Sequence, residues 1–87
     1  MFAVTEAAAV RLAQKLTRKQ AGDAFAMRFV RRQRGWNLRT DTPGPTDVAV
    51  VHEGRTVLVL DPDVAGSLAE RTLDARVTPA GSRLYLR

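Results

Sequence analysis

The sequence contains no cysteine and one histidine, His52. The first absence excludes ligation of zinc, copper or an iron–sulfur cluster through thiolates. It also excludes the disulfides on which small secreted domains often depend. A lone imidazole beside Glu53 falls short of the three or four ligands of a structural metal site, so no metal or cofactor is expected. Long apolar runs are missing too, and nothing approaches the roughly 18 residues that suggest a membrane span. The opening Met1-Phe2-Ala3-Val4-Thr5-Glu6 has no basic segment leading into an apolar core. No signal peptide and no membrane partner are expected, and the cytoplasm is the default compartment.

Catalytic constellations are equally scarce. Ser67 and Ser82 each adjoin a glycine in turn-like sequence, with no second histidine to act as a base. Asp61 and Asp63 flank Pro62, a spacing that helix capping explains. The glycines form no phosphate-cradling pattern. No catalytic residue is expected, and the chain reads as a binding or accessory protein rather than an enzyme.

What is present is an ordinary globular composition, 45% hydrophobic and 26% charged, in 87 residues. One domain spanning 1–87 is expected, burying roughly 60–65% of the surface of its unfolded chain, which makes a thin core. Lys and Arg total 14 against 9 acids, a net charge of +5, and most of the cations are arginine. That balance suits an acidic partner without naming one.

Periodicity orders the chain. Residues 5–20 read as a helix with Thr5 as N-cap, Glu6 in the first turn, an inward stripe of Ala9, Leu12, Ala13 and Leu16, and Gly22 as the stop signal. Arg11, Lys15, Arg18 and Lys19 read as its solvated side. From Ala24 the period becomes two, with Phe25, Met27 and Phe29 facing inward from a strand buried on one face. Trp36–Thr40 reads as a second strand and 42–47 as a loop. Asp47–Val51 and Thr56–Leu60 form a hairpin around Glu53-Gly54, with His52 at its tip. Val57-Leu58-Val59-Leu60 is apolar throughout and predicts burial on both faces. Asp61-Pro62 opens a short helical turn that packs Val64, Leu68 and Ala65. Leu73–Thr78 and Arg83–Leu86 close the domain as strands around a turn at 79–82. The order predicts an α+β fold with a mixed or antiparallel sheet.

Local segments, taken in order, resemble the HesB/IscA-like family of A-type iron–sulfur carriers. The segments are Val4-Thr5-Glu6-Ala7-Ala8-Ala9, Ala26-Met27-Arg28-Phe29-Val30, Gly54-Arg55-Thr56-Val57-Leu58-Val59-Leu60-Asp61-Pro62, and Thr72-Leu73-Asp74. The resemblance implies an N-terminal helix packed on a twisted β-sandwich or pseudo-barrel, and an ancestry in cluster assembly. The departures are sharper than the matches. Arg34-Gly35-Trp36-Asn37 stands where the family places a Gly-Cys-Ser-Gly turn. The sequence to Arg87 has no Cys-Gly-Cys pair, so a domain without the ligand tail is expected. No family ligand carries over to any position.

The remaining candidate site is the run Arg28, Arg31, Arg32, Arg34 and Arg39, free of acids until Asp41 and enclosing Trp36. Guanidinium groups suit phosphate and carboxylate, and an exposed indole can stack on a base. Strand alternation sends Arg31 and Arg32 to opposite faces, and a tryptophan in so small a domain is often core. The sequence supports three readings. The first is a cysteine-free accessory or protein-binding module with an unknown protein partner. The second is an Arg-rich binder of nucleic acid or another polyanion. The third is a self-assembling homo-oligomer.

Overall fold

A computed structural model describes residues 1–87. In chain order the elements are β1 (Ala3–Val4), α1 (Glu6–Arg18), β2 (Ala26–Arg32), β3 (Gly35–Asp41), β4 (Val48–His52), β5 (Arg55–Leu60), α2 (Pro62–Ser67), β6 (Thr72–Thr78) and β7 (Gly81–Leu86). They build two sheets, a three-stranded one ordered β1-β6-β7 and a four-stranded one ordered β3-β2-β5-β4. Both are mixed: β1 runs parallel to β6 and β2 parallel to β5, while the remaining pairs are antiparallel. The sheets do not close into a barrel, and β3 and β7 each end a sheet with one edge unpaired.

Helix α1 begins where the capping chemistry places it. Thr5 has extended backbone, and its hydroxyl accepts the Ala8 N–H. The same hydroxyl donates to Asp74 Oδ1 at 2.7 Å, tying the helix start to β6. The helix ends earlier than Gly22 suggests. Gln20 takes the left-handed conformation at φ 57, with Gln20 N–H bonded to Thr17 C=O and Ala21 N–H to Leu16 C=O. This is the Schellman arrangement with glutamine where glycine is usual. Gly22 lies beyond the stop.

The helix buries Ala8, Ala9, Leu12 and Leu16 and touches strands of both sheets. Met27, Phe29, Val57, Leu58, Leu60, Leu68 and Leu73 complete the core around it. Each fully buried leucine contributes roughly 1.5–3 kcal/mol relative to exposure. Glu53 and Gly54 both have positive φ, 50 and 79, as a two-residue hairpin turn of primed type requires. Val57 to Leu60 are all fully buried. Leu58 and Leu60 face the main core, and Val59 lies on the other face, where α2 crosses β2 and β5.

Strand β2 departs from its expected pattern. Phe25 is exposed in the turn before the strand, and its N–H bonds to Gly22 C=O. Ala26, Met27, Arg28 and Phe29 are all buried. A one-faced strand alternates; this one lies between β3 and β5 with a second layer on its outer face, so consecutive residues are enclosed. Strand β1, two residues long, carried no sequence signal of its own. It exists because Ala3 and Val4 pair with Thr72 and Leu73.

Candidate functional site

The arginine run does not stay together. Arg28 points into the layer between β2 and α2, and its side chain keeps 10% of its exposure. Its guanidinium meets three aspartates, from the end of β3, the loop before β4 and the N-cap of α2. Nε donates to Asp41 Oδ2 at 2.8 Å, Nη1 to Asp47 Oδ1 at 2.9 Å and Asp61 Oδ1 at 2.8 Å, and Nη2 to Asp47 Oδ2 at 2.6 Å. Nη2 also reaches Thr42 C=O at 3.4 Å. The rigid fork suits this bidentate grip on Asp47. With its donors engaged, Arg28 has none to offer an outside anion.

Hydrogen bonding holds Arg28, Asp41 and Asp47 in their charged forms. Arg28 is held further into its charged form than an ordinary arginine, chiefly by its bond to Asp47 and against the cost of burial. Asp47 is lowered to about 2 by the Arg28 bond and by the Gly44 N–H, which it accepts at 2.6 Å. Asp41 is lowered by the Thr42 N–H and then by Arg28. Asp61 was expected to cap α2. It stands at the N-cap position but makes no side-chain cap bond, because its carboxylate is turned to Arg28.

The other cations are distributed by strand register. Arg31 pairs with Trp36, Arg32 with Gly35 and Arg28 with Arg39, so Arg32 and Arg39 share Arg28's face while Arg31 and Trp36 lie on the opposite one. Arg34 sits in the turn between the strands and is exposed, as are Arg31 and Arg32. Arg39 is half exposed, 3.5 Å from Asp41. Trp36 is half-buried, edge-on to Phe29 at 5.4 Å, and the Arg31 guanidinium lies over its ring at 4.8 Å. The indole is therefore a wall of the core with one face already covered by a cation, not an open stacking platform.

That wall borders a cleft of about 530 Å³ between the two sheets. Phe29, Trp36 and Leu38 line it from one sheet, and Leu73, Leu84 and Leu86 from the other. Lys15 reaches it from α1 and Arg83 from β7, and no aspartate or glutamate lines it. Burial lowers the Lys15 pKa, as do the nearby charges of Arg11, Lys19 and Arg18. Sequence reading placed Lys15 on the solvated side of α1 and passed over Arg83. The only local hint was an apolar last strand carrying a cation, too common a pattern to single out.

His52 is the last residue of β4 rather than the hairpin tip, half-buried beside Gln14 and Thr17 of α1. No grouping of three or more His, Asp or Glu side chains is arranged to hold a metal ion. No helix is long and apolar enough to cross a membrane.

No family model and no curated protein matches the sequence. Solved structures do match in shape. Escherichia coli SufA, a protein involved in the biosynthesis of iron–sulfur clusters, superposes with a TM-score of 0.77 at 16% identity, covering 99% of this chain and 83% of that one. This chain has the HesB/IscA-like fold. IscA, solved with a [2Fe-2S] cluster, matches with a TM-score of 0.63 at 17% identity over 100% of this chain and 84% of that one. An Aquifex aeolicus protein solved by NMR matches with a TM-score of 0.63 at 22% identity over 99% and 89%. The HesB/IscA-like fold is thus present in a sequence without a single cysteine.

Proposed function

We propose that this HesB/IscA-like domain is a non-catalytic, cytoplasmic accessory module related to iron–sulfur cluster assembly, which binds a protein partner and does not ligate a cluster through cysteine. The observation that carries the reading is a fold shared with SufA and IscA in a chain that has no thiolate. The stretch Gly35-Trp36-Asn37, which stands where the resemblance places a ligand turn, opens β3, and Trp36 and Asn37 line the cleft between the sheets. A position that would hold a ligand in a carrier lines a cleft here. Anaerobic reconstitution with ferrous iron and sulfide tests this: the protein stays colourless, whereas a stoichiometric cluster spectrum overturns the reading.

A second reading, binding of nucleic acid or another polyanion, is favoured by Arg31, Arg32 and Arg34, which are exposed at one end of the β2–β3 hairpin without a carboxylate partner. Such binding weakens steeply with salt. Filter retention of labelled single-stranded DNA across a salt series decides it, and no retention even at low salt removes it.

A further inference from the structure

We propose that the seam between β3 and β7 is a strand-docking site for an extended acidic segment of a partner protein; the inference rests on the binding-module reading and names the chemistry of the partner.

Both strands are sheet edges, so each carries a row of backbone N–H and C=O groups with no neighbouring strand. Residues of both strands line the cleft. Side chains on a strand alternate between faces, so a space lying over one face of β7 would meet every second residue. This cleft meets Ser82, Arg83, Leu84, Tyr85 and Leu86 in succession, and Trp36, Asn37 and Leu38 in succession on β3. Contact with consecutive residues means that the space reaches the strand edges, where backbone groups are available, as well as the inner faces, where Phe29 and Leu73 line it. That is the geometry of β-strand addition, in which main-chain bonds supply affinity and flanking side chains supply specificity.

The side chains select the occupant. Leu84 and Leu86 pair with Ala75 and Leu73 on the inner face, while Arg83 and Tyr85 lie on the outer one. Lys15 approaches from the helix between the sheets, and Arg31 sits on Trp36 at the border. An extended segment laid here meets apolar wall along its length and a cation on either side, with no carboxylate to oppose it. Acidic and apolar residues in alternation match that lining. A second copy of this chain is a poorer occupant. Its net charge of +5 would bring Arg83, Lys15 and Arg31 against like charges, which costs affinity.

Trp36 is the sole tryptophan, so its fluorescence reports on this cleft alone. The probe is acetyl-(Glu-Val)4-amide, about 26 Å long at roughly 3.3 Å per residue. Its charge-reversed analogue is acetyl-(Lys-Val)4-amide, and octaglutamate supplies charge without apolar side chains. The expected result is a saturable change in Trp36 emission with the Glu-Val peptide, together with slowed amide exchange in β7 or β3. Binding should weaken about tenfold or more in Arg83→Glu. Lys15→Gln, on a different element, should weaken it in the same direction, which keeps the test valid if one variant folds poorly.

No emission change up to about 1 mM peptide, the range of the weakest measurable binding, overturns the proposal. Equal binding of the Lys-Val peptide overturns the charge argument on which it stands. Equal binding of octaglutamate makes the surface a plain polyanion site and overturns strand docking. A dimer that protects β7 amides gives the seam to a second copy and overturns it too. Cluster reconstitution is read separately, by visible absorbance, so a colourless protein that ignores the peptide defeats this inference and leaves the accessory reading standing.

Discussion

Arg28 and Arg31 lie on the same strand, one turn of alternation apart in face, and they do opposite things. Arg28 is enclosed by Asp41, Asp47 and Asp61, with every arm of its guanidinium engaged. Arg31 is exposed, paired with no carboxylate, and rests on an indole that borders an open cleft. The residue type is identical, so chemistry alone does not separate a structural arginine from one free to meet a ligand. What separates them is the layer above each. The outer face of β2 at Arg28 is covered by α2 and the acidic loop before β4, while the hairpin beyond Val30 projects past both.

The sharpest way to break this contrast is to remove the enclosed arginine. Arg28→Ala leaves three carboxylates facing one another with Asp47 buried, and the cost expected from breaking a buried ion pair is about 3 kcal/mol. Urea denaturation followed by circular dichroism checks it. Arg28→Lys keeps the charge but loses the fork, and should recover only part of the loss. A change no larger than that of Arg31→Ala would erase the distinction between the two arginines.

Acid should act on the same cluster. Asp47 titrates at about 2 in the folded protein, below its unfolded value near 4, because Arg28 and the Gly44 N–H favour the carboxylate. A lowered folded pKa stabilises the protein above the unfolded value and loses that contribution as pH falls through the folded one. Asp41 and Asp74 are shifted the same way. Thermal melting should therefore be level near neutrality and decline between about pH 4 and pH 2. In Asp47→Asn the decline should be shallower and the neutral-pH midpoint lower.

A third expected effect belongs to the opposite edge of the molecule. Asp74 accepts from the Thr5 hydroxyl, the Ala75 N–H and the Tyr85 hydroxyl, and pairs with Arg87 at 3.1 Å. Thr5→Val removes both the helix cap and that link, and should cost roughly 1–2 kcal/mol in the same denaturation experiment. The smallest effect is expected at the hairpin. Arg32→Ala and Arg34→Ala should each change stability by less than about 0.5 kcal/mol, and Arg31→Ala by about 0.5–1 because it also loses the contact with Trp36. Effects there as large as at Arg28 would mean that the hairpin cations are structural after all.

Much of the frame could be read in advance because its signals are local. Thr5 caps a helix with the N–H three residues on, and Glu53-Gly54 turns a hairpin within four residues. Val57–Leu60, apolar without a break, pointed to a strand covered on both sides. Where reading failed, a contact from far along the chain decided the outcome. Phe25 looked inward by alternation, but the strand starts one residue later and is covered twice. Asp61 looked like a cap until a guanidinium 33 residues earlier claimed its carboxylate. The cleft left only a common hint in the sequence, because its two walls come from strands that never pair.

The absence of cysteine was determined by sequence alone, and with it the exclusion of thiolate ligation, since no fold can supply a missing sulfur. The order of the elements from α1 onward was likewise set by periodicity and capping, which act over a few residues. Tertiary structure alone decided which arginine is enclosed and which is free. The aspartates that meet Arg28 lie 13, 19 and 33 residues away, and only sheet register and the return of α2 bring them within hydrogen-bond distance.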